Sequence, residues 1–140
     1  MLTQPYLNFD GRCEEALDFY KQAVGAKVTM LVRFKESPEP PSADCGGGPE
    51  NGDKVMHSAF HIGESLLMAT DGYNKGQTEF RGFSLSLTVN SEEEVKTYVD
   101  ALANGGQVEM APVKTHFAKS FGMVSDRFGV RWMVIAPMPM

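Results

Sequence analysis

The chain carries one pattern twice, and that duplication constrains the fold more than any other feature. Residues 14–28 run Glu14-Glu15-Ala16-Leu17-Asp18-Phe19-Tyr20, then Ala23-Val24-Gly25 and Val28. Residues 93–108 run Glu93-Glu94-Val95-Lys96-Thr97-Tyr98-Val99, then Leu102-Ala103, Gly105-Gly106 and Val108. Each stretch follows a short apolar run and precedes others. Two copies of one small unit within 140 residues must pair to bury their cores.

Periodicity fills in each copy. Pro5 to Phe9 reads as a strand, with Leu7 and Phe9 on one face and Tyr6 and Asn8 on the other. Asp10-Gly11 breaks it, and a helix follows over Cys13–Val24, with Leu17, Tyr20 and Val24 at helical spacing. Glu14 and Glu15 suit the positive end of that helix, and Gly25 suits its stop. Strands follow at Lys27–Phe34, Lys54–Ile62 and Ser65–Thr70, the last two joined by the tight turn Gly63-Glu64. The second copy begins with the alternating run from Gly82 to Val89. Ser91 and Glu94 have capping-box spacing for a helix reaching about Ala103. Strands at Gln107–Pro112, Ala118–Val124 and Val130–Ile135 complete it, with Asp126-Arg127-Phe128-Gly129 as the last turn.

The order is βαβββ twice. It predicts one α+β domain over 1–140, made of paired modules at about 1–72 and 80–140, whose curved mixed sheets enclose a cleft. Between them in character stands 35–53, with four prolines, four glycines and five acids. It reads as a flexible loop. Residues 71–81 form a second polar loop.

The net charge of −5 and 13 scattered basic residues with no run of three argue against nucleic acid, whose phosphates need a basic stripe. No apolar run approaches the ~20 residues of a membrane span. The N-terminus has no signal-peptide pattern. Cys13 and Cys45 make neither a disulfide framework nor a zinc spacing. A cytoplasmic protein with free thiols is expected. Cys13, near a helix N-terminus, has the position for a lowered thiol pKa, although a small buried residue is the plainer reading.

An ordered set of motifs runs from end to end of the chain. It comprises Tyr6-Leu7-Asn8-Phe9, Glu14 to Tyr20, His57, Ser65-Leu66-Leu67-Met68-Ala69, Gly82-Phe83-Ser84-Leu85, and the block Gly122 to Met133. In this set the chain resembles the vicinal oxygen chelate superfamily of glyoxalases, ring-cleaving dioxygenases and bleomycin-resistance proteins, and within it the PhnB-like branch. The resemblance implies the glyoxalase/bleomycin-resistance fold and a homodimer.

It also implies where a metal would lie, since metal-dependent members hold a divalent ion with His and Glu from the first and last strands of each module. Those places fall near Pro5, Met68, Phe83 and Met133, where no His or Glu stands. A hard ion needs several nitrogen or oxygen ligands, and a thioether is soft. No metal and no cofactor are therefore expected. The main expectation is metal-independent binding of an unknown small molecule of apolar or mixed polarity in the module cleft. Leu66, Met68, Phe83, Leu85, Trp132 or its neighbour Met133, and Met123 are its expected wall. His57 is the best candidate for a ligand contact or a catalytic base, with Glu64 or Asp71 as helpers, and His116 is placed to close one end. His61 shares a strand face with His57 but lies about 13 Å away, too far for a shared ion. Arg33, Arg81 and Arg131 are the plausible donors to an anion. The alternatives are a lyase, isomerase or dioxygenase using a metal or acid/base residues, and a structural or partner-binding module.

Overall fold

The computed structural model describes residues 1–37, 51–72, 76 and 78–139. Most of the expected flexible loop lies outside the described residues, at 38–50. With it go Cys45 and the triple glycine, and part of the second polar loop at 73–75 and 77 lies outside them too.

Two compact units divide the chain at Met1–Thr78 and Glu79–Met140. Unit 1 holds β1 (Tyr6–Asn8), α1 (Cys13–Val24), β2 (Lys27–Arg33), a 3-10 turn (Phe34–Glu36), β3 (Val55–Ile62) and β4 (Ser65–Thr70). Unit 2 holds β5 (Leu85–Thr88), α2 (Glu92–Leu102), β6 (Gln107–Val113), β7 (Ala118–Ser125) and β8 (Arg131–Pro137). Each unit is a four-stranded mixed sheet with one helix. The strand orders are β1-β4-β3-β2 and β5-β8-β7-β6. β2, β3 and β4 are antiparallel, the last two joined by the tight turn Gly63-Glu64, while β1 joins β4 in parallel because the helix returns the chain across the sheet. Unit 2 repeats this pattern.

In unit 1 the buried stripe of α1, including Ala16, Leu17, Tyr20 and Val24, packs on the Leu7, Phe60 and Leu67 face of the sheet. Tyr20 stacks on Phe60 with ring centroids 6.3 Å apart and planes at 15°. Full burial of each such side chain contributes roughly 1.5–3 kcal/mol. Gly25, at φ 70°, closes the helix in the left-handed conformation that glycine alone adopts freely, its N–H donating to Tyr20 O. In unit 2 the Ser91 hydroxyl accepts the Glu94 N–H at 3.2 Å, which is the expected cap of α2. Val95, Val99 and Leu102 of α2 are buried, as are Val124, Trp132 and Val134 of the sheet.

Each core is tied by one buried carboxylate. Asp71 Oδ1 accepts the N–H groups of Gly11 at 2.7 Å and Cys13 at 2.9 Å, and Oδ2 accepts that of Val55 at 3.0 Å. Asp126 Oδ1 accepts those of Phe128 and Val130 at 2.9 and 3.1 Å, while Oδ2 accepts the Trp132 indole N–H at 2.9 Å. These bonds give donors in tight, buried connections a partner they would otherwise lack.

Two strands are shorter than the sequence pattern suggests, Tyr6–Asn8 for Pro5–Phe9 and Leu85–Thr88 for Gly82–Val89. Alternation reports which side a residue faces, not how far the ladder of hydrogen bonds runs. No helix among the described residues is long and apolar enough to cross a membrane.

Candidate functional site

In each sheet the buried positions mark the side under the helix and leave the other side open, so register sorts the expected site residues. On the open face of unit 1, one row runs Tyr6, Met68, Ala59, Met30 across β1, β4, β3 and β2. His57 stands beside Val32, and His61 beside Leu66, on the same face. Tyr6 is 51% exposed, and its hydroxyl lies 3.2 Å from His57 Nδ1. The rings meet edge-on with centroids 5.5 Å apart. The tyrosine thus reaches across β4 to hold the imidazole, and His57, Leu66 and Met68 form one half-buried surface around them. Among the described residues no partner of His57 Nε2 stands out, so that nitrogen can meet a ligand. His61 is half-buried at the turn end of the strand.

On the open face of unit 2 the corresponding row runs Ser86, Met133, Met123, Met110. Beside it, Glu109 accepts hydrogen bonds from Ser125 and, at 3.0 Å, from Arg131. The Ser125 hydroxyl first, and the Arg131 guanidinium with it, hold the Glu109 carboxyl below its usual range.

Four expectations are corrected. Trp132 does not line the open face. It is in register with Leu85 and Val124 on the helix side, it is 2% exposed, and its indole N–H is given to Asp126. Leu85 lies beside it on that side. The period of two forces this, because Met133 faces outward and its neighbour must therefore face inward. Phe83 precedes β5 in a turn region and is 46% exposed, so it belongs to no sheet face. Asp71 is not a catalytic helper, since three backbone N–H groups occupy its oxygens. For Cys13 the plainer reading holds. It is fully buried, and that burial, with the Asp71 charge next, pushes the thiol up to about 12.

The remaining candidates stay at the surface. His116 is exposed after β6 and meets Phe117 edge-on at 5.2 Å, and Phe117 meets Phe121 at 5.6 Å. Glu64 is exposed in its hairpin turn. The three arginines proposed for an anion each pair with an acid: Arg33 with Glu14 at 2.8 Å, Arg81 with Glu79 at 2.8 Å, and Arg131 with Glu109 at 3.0 Å.

A hard divalent ion does not fit either face. The pair from the first and last strands is Tyr6 with Met68 in unit 1 and Ser86 with Met133 in unit 2. Phe83 is replaced by Ser86, and Pro5 by Tyr6, as the residues at these places, and neither is His or Glu. Each pair has one hydroxyl and one thioether, short of the several oxygen or nitrogen ligands required. Among the described residues no group of three or more His, Cys, Asp or Glu is placed to hold an ion. Tyr6 was missed as a site residue because only the parallel pairing of β1 with β4 brings it to His57.

Known proteins share this arrangement. The chain is 35% identical over 138 residues to protein YjdN of Escherichia coli K12, covering 96% of this chain and 94% of that protein. It superposes on protein PA1353 from Pseudomonas aeruginosa with a TM-score of 0.81 and 39% identity over 96% of both chains. For the PhnB protein from Bacillus cereus the TM-score is 0.75 at 27% identity, over 96% of this chain and 98% of that one. At 12% identity, a glyoxylase/bleomycin resistance protein/dioxygenase domain from Frankia sp. EAN1pec shares the fold, with a TM-score of 0.64 over 99% and 98% of the two chains. The family described as 3-demethylubiquinone-9 3-methyltransferase matches residues 2–135. The chain therefore belongs to that family, whose members include the PhnB-type protein above, and it shares the glyoxalase/bleomycin-resistance fold.

Proposed function

We propose that the protein binds a small molecule of mixed polarity on the open face of unit 1, without a hard divalent metal. The observation that carries this reading is the Tyr6–His57 pair, 3.2 Å apart, set against half-buried Met68 and Leu66. An apolar surface with a few fixed polar groups is the usual chemistry of a small-molecule site. Tyr6 orients the ring, so a ligand carbonyl or hydroxyl meets a fixed Nε2. The donor set argues against a hard metal as intermediary.

The methyl transfer in the family's description draws less support from these residues. The connection into α1 has the single glycine Gly11, and the amides of Gly11 and Cys13 are given to Asp71. A glycine-rich loop with free amides is what cofactor binding at such a place uses. We extend the proposal to a cytoplasmic homodimer that binds neither nucleic acid nor membrane, which sedimentation and gel-shift measurements check.

Thermal-shift screening against a metabolite panel tests the main reading. A true ligand at a hundredfold excess over its Kd adds roughly 2.7 kcal/mol. His57→Ala and Met68→Ala should each weaken that ligand by about tenfold, or 1.4 kcal/mol. A ligand indifferent to both variants binds elsewhere, and stoichiometric Mn, Ni, Zn or Fe in the native protein overturns the metal-independent reading.

A further inference from the structure

Nine methionines are many for a chain of this length. Among the described residues no buried core position is a methionine. Three of them instead stand side by side on the open face of unit 2. Met110 of β6 is in register with Met123 of β7, and Met123 with Met133 of β8. Residues directly opposite one another project from the same face. Here that face is the one away from α2, because the intervening Val124, Trp132 and Val134 are buried. Met110 is 42% exposed, and Met123 and Met133 are half-buried.

The alignment needs an irregular ladder. From Val108 to Met110 β6 advances two residues while β7 retreats one, from Val124 to Met123. Without that bulge Met110 would oppose Gly122, beneath the helix. With it, the extra residue Glu109 is absorbed and Met110 joins the row. Glu109 itself is held by Ser125 and Arg131, so the row presents neutral thioethers. Neighbouring strands lie about 4.8 Å apart. The flexible methionine arms are long enough to bring three sulfurs around one point above Met123. Thioethers are soft ligands that select copper(I) and exclude hard cations.

We propose that Met110, Met123 and Met133 form a binding site for a soft monovalent cation of the copper(I) class. Its three ligands all belong to unit 2 and are none of the residues that carry the proposed function. The row in unit 1 cannot do the same, because Ala59 separates Met68 from Met30.

The test is anaerobic competition for copper(I) against the chromophoric chelator bicinchoninate, in a Cys45→Ser background that removes the thiol outside the described residues. The protein should withhold one copper per chain. Met123→Leu should weaken that binding by more than about tenfold, the loss that even an outer-shell partner of a metal site produces, and Met133→Leu should do likewise. Met30→Leu should leave it unchanged. Leucine conserves volume here, so the fold survives these changes. Addition of silver(I) to ε-13C-methionine-labelled protein should move the methyl signals of Met110, Met123 and Met133 together. The proposal is overturned if no copper is withheld, if Met123→Leu and Met133→Leu bind as tightly as the parent (which would place the metal elsewhere), or if the three methyl signals stay still.

Discussion

The two sheets share one topology and differ in what they carry on the open side. In unit 1 the row across the strands is Tyr6, Met68, Ala59, Met30, and a polar pair, Tyr6 with His57, crosses it. In unit 2 the row is Ser86, Met133, Met123, Met110, with hydrogen-bonding groups confined to the flanking Glu109–Ser125–Arg131 cluster. The helix sides are alike, since each is apolar and each is closed by one aspartate with three donors. The lesson is that the scaffold and the chemistry are separable. The helix side must satisfy packing and hydrogen bonding, so its two copies are held close to one solution. The open side carries no such demand, and there the copies have parted.

The strongest challenge to the likeness of the helix sides is removal of the aspartates. Asp71→Ala leaves three backbone donors without their acceptor, and Asp126→Ala leaves two and the Trp132 indole. At roughly 1–3 kcal/mol for each unsatisfied buried group, each variant should lose about 3 kcal/mol or more in urea unfolding. A loss under ~1 kcal/mol in either would mean that the carboxylate is not a tie.

A smaller effect is expected at Gly122 in unit 2. A Cβ there would stand 3.0 Å from Val99 Cγ2, so the Val99 side chain must give by a few tenths of an ångström. Gly122→Ala should be destabilised by roughly 1–3 kcal/mol, the usual range for overpacking, and Val99→Ala in the same chain should recover part of it. No recovery would show that the helix does not rest on that glycine.

The helix side of unit 1 also has a pH signature that unit 2 lacks, because Cys13 is its buried thiol. Its folded pKa is raised, so the neutral form is the one that the fold favours. That contribution is complete below the ordinary value of 9.0 and is lost as pH rises from there towards about 12. Melting temperature should fall more steeply above pH 9.0 in the parent than in Cys13→Ala. Parallel curves would remove the claim.

The smallest change in stability is expected on the open side. Tyr6→Phe breaks an exposed hydrogen bond and should alter unfolding by less than about 1 kcal/mol. It should nonetheless change the His57 imidazole signals in NMR, since the Nδ1 partner is gone. Unchanged imidazole shifts would show that Tyr6 does not orient the ring.

Much of this was readable from residue order. The bounds of α1, the Ser91 cap, the Gly63-Glu64 hairpin turn and the sharing of one face by His57, Ala59 and His61 all follow from local rules. Each depends on a few neighbouring residues and on periods of 3.6 or two. What failed were statements that needed a partner. Trp132 and its neighbour Met133 were equally good candidates for the wall until register separated them. Leu85 and Phe83 were carried by a motif alignment that was insensitive to where β5 begins. For Cys13 the plainer reading held, because burial beside Asp71 outweighs the helix dipole.

The sequence alone determined that there are two βαβββ units, where their helices run, and that no His or Glu stands at Pro5, Met68, Phe83 or Met133. Those are properties of local pattern and residue identity. Only the tertiary structure decided that Tyr6 meets His57, that Asp71 is a tie instead of a reagent, and that Met110, Met123 and Met133 form a row. The physical reason is the strand pairing itself. Residues 51 apart in sequence, Tyr6 and His57, are joined by parallel β1–β4 pairing, and a single bulge at Glu109 selects which side Met110 faces.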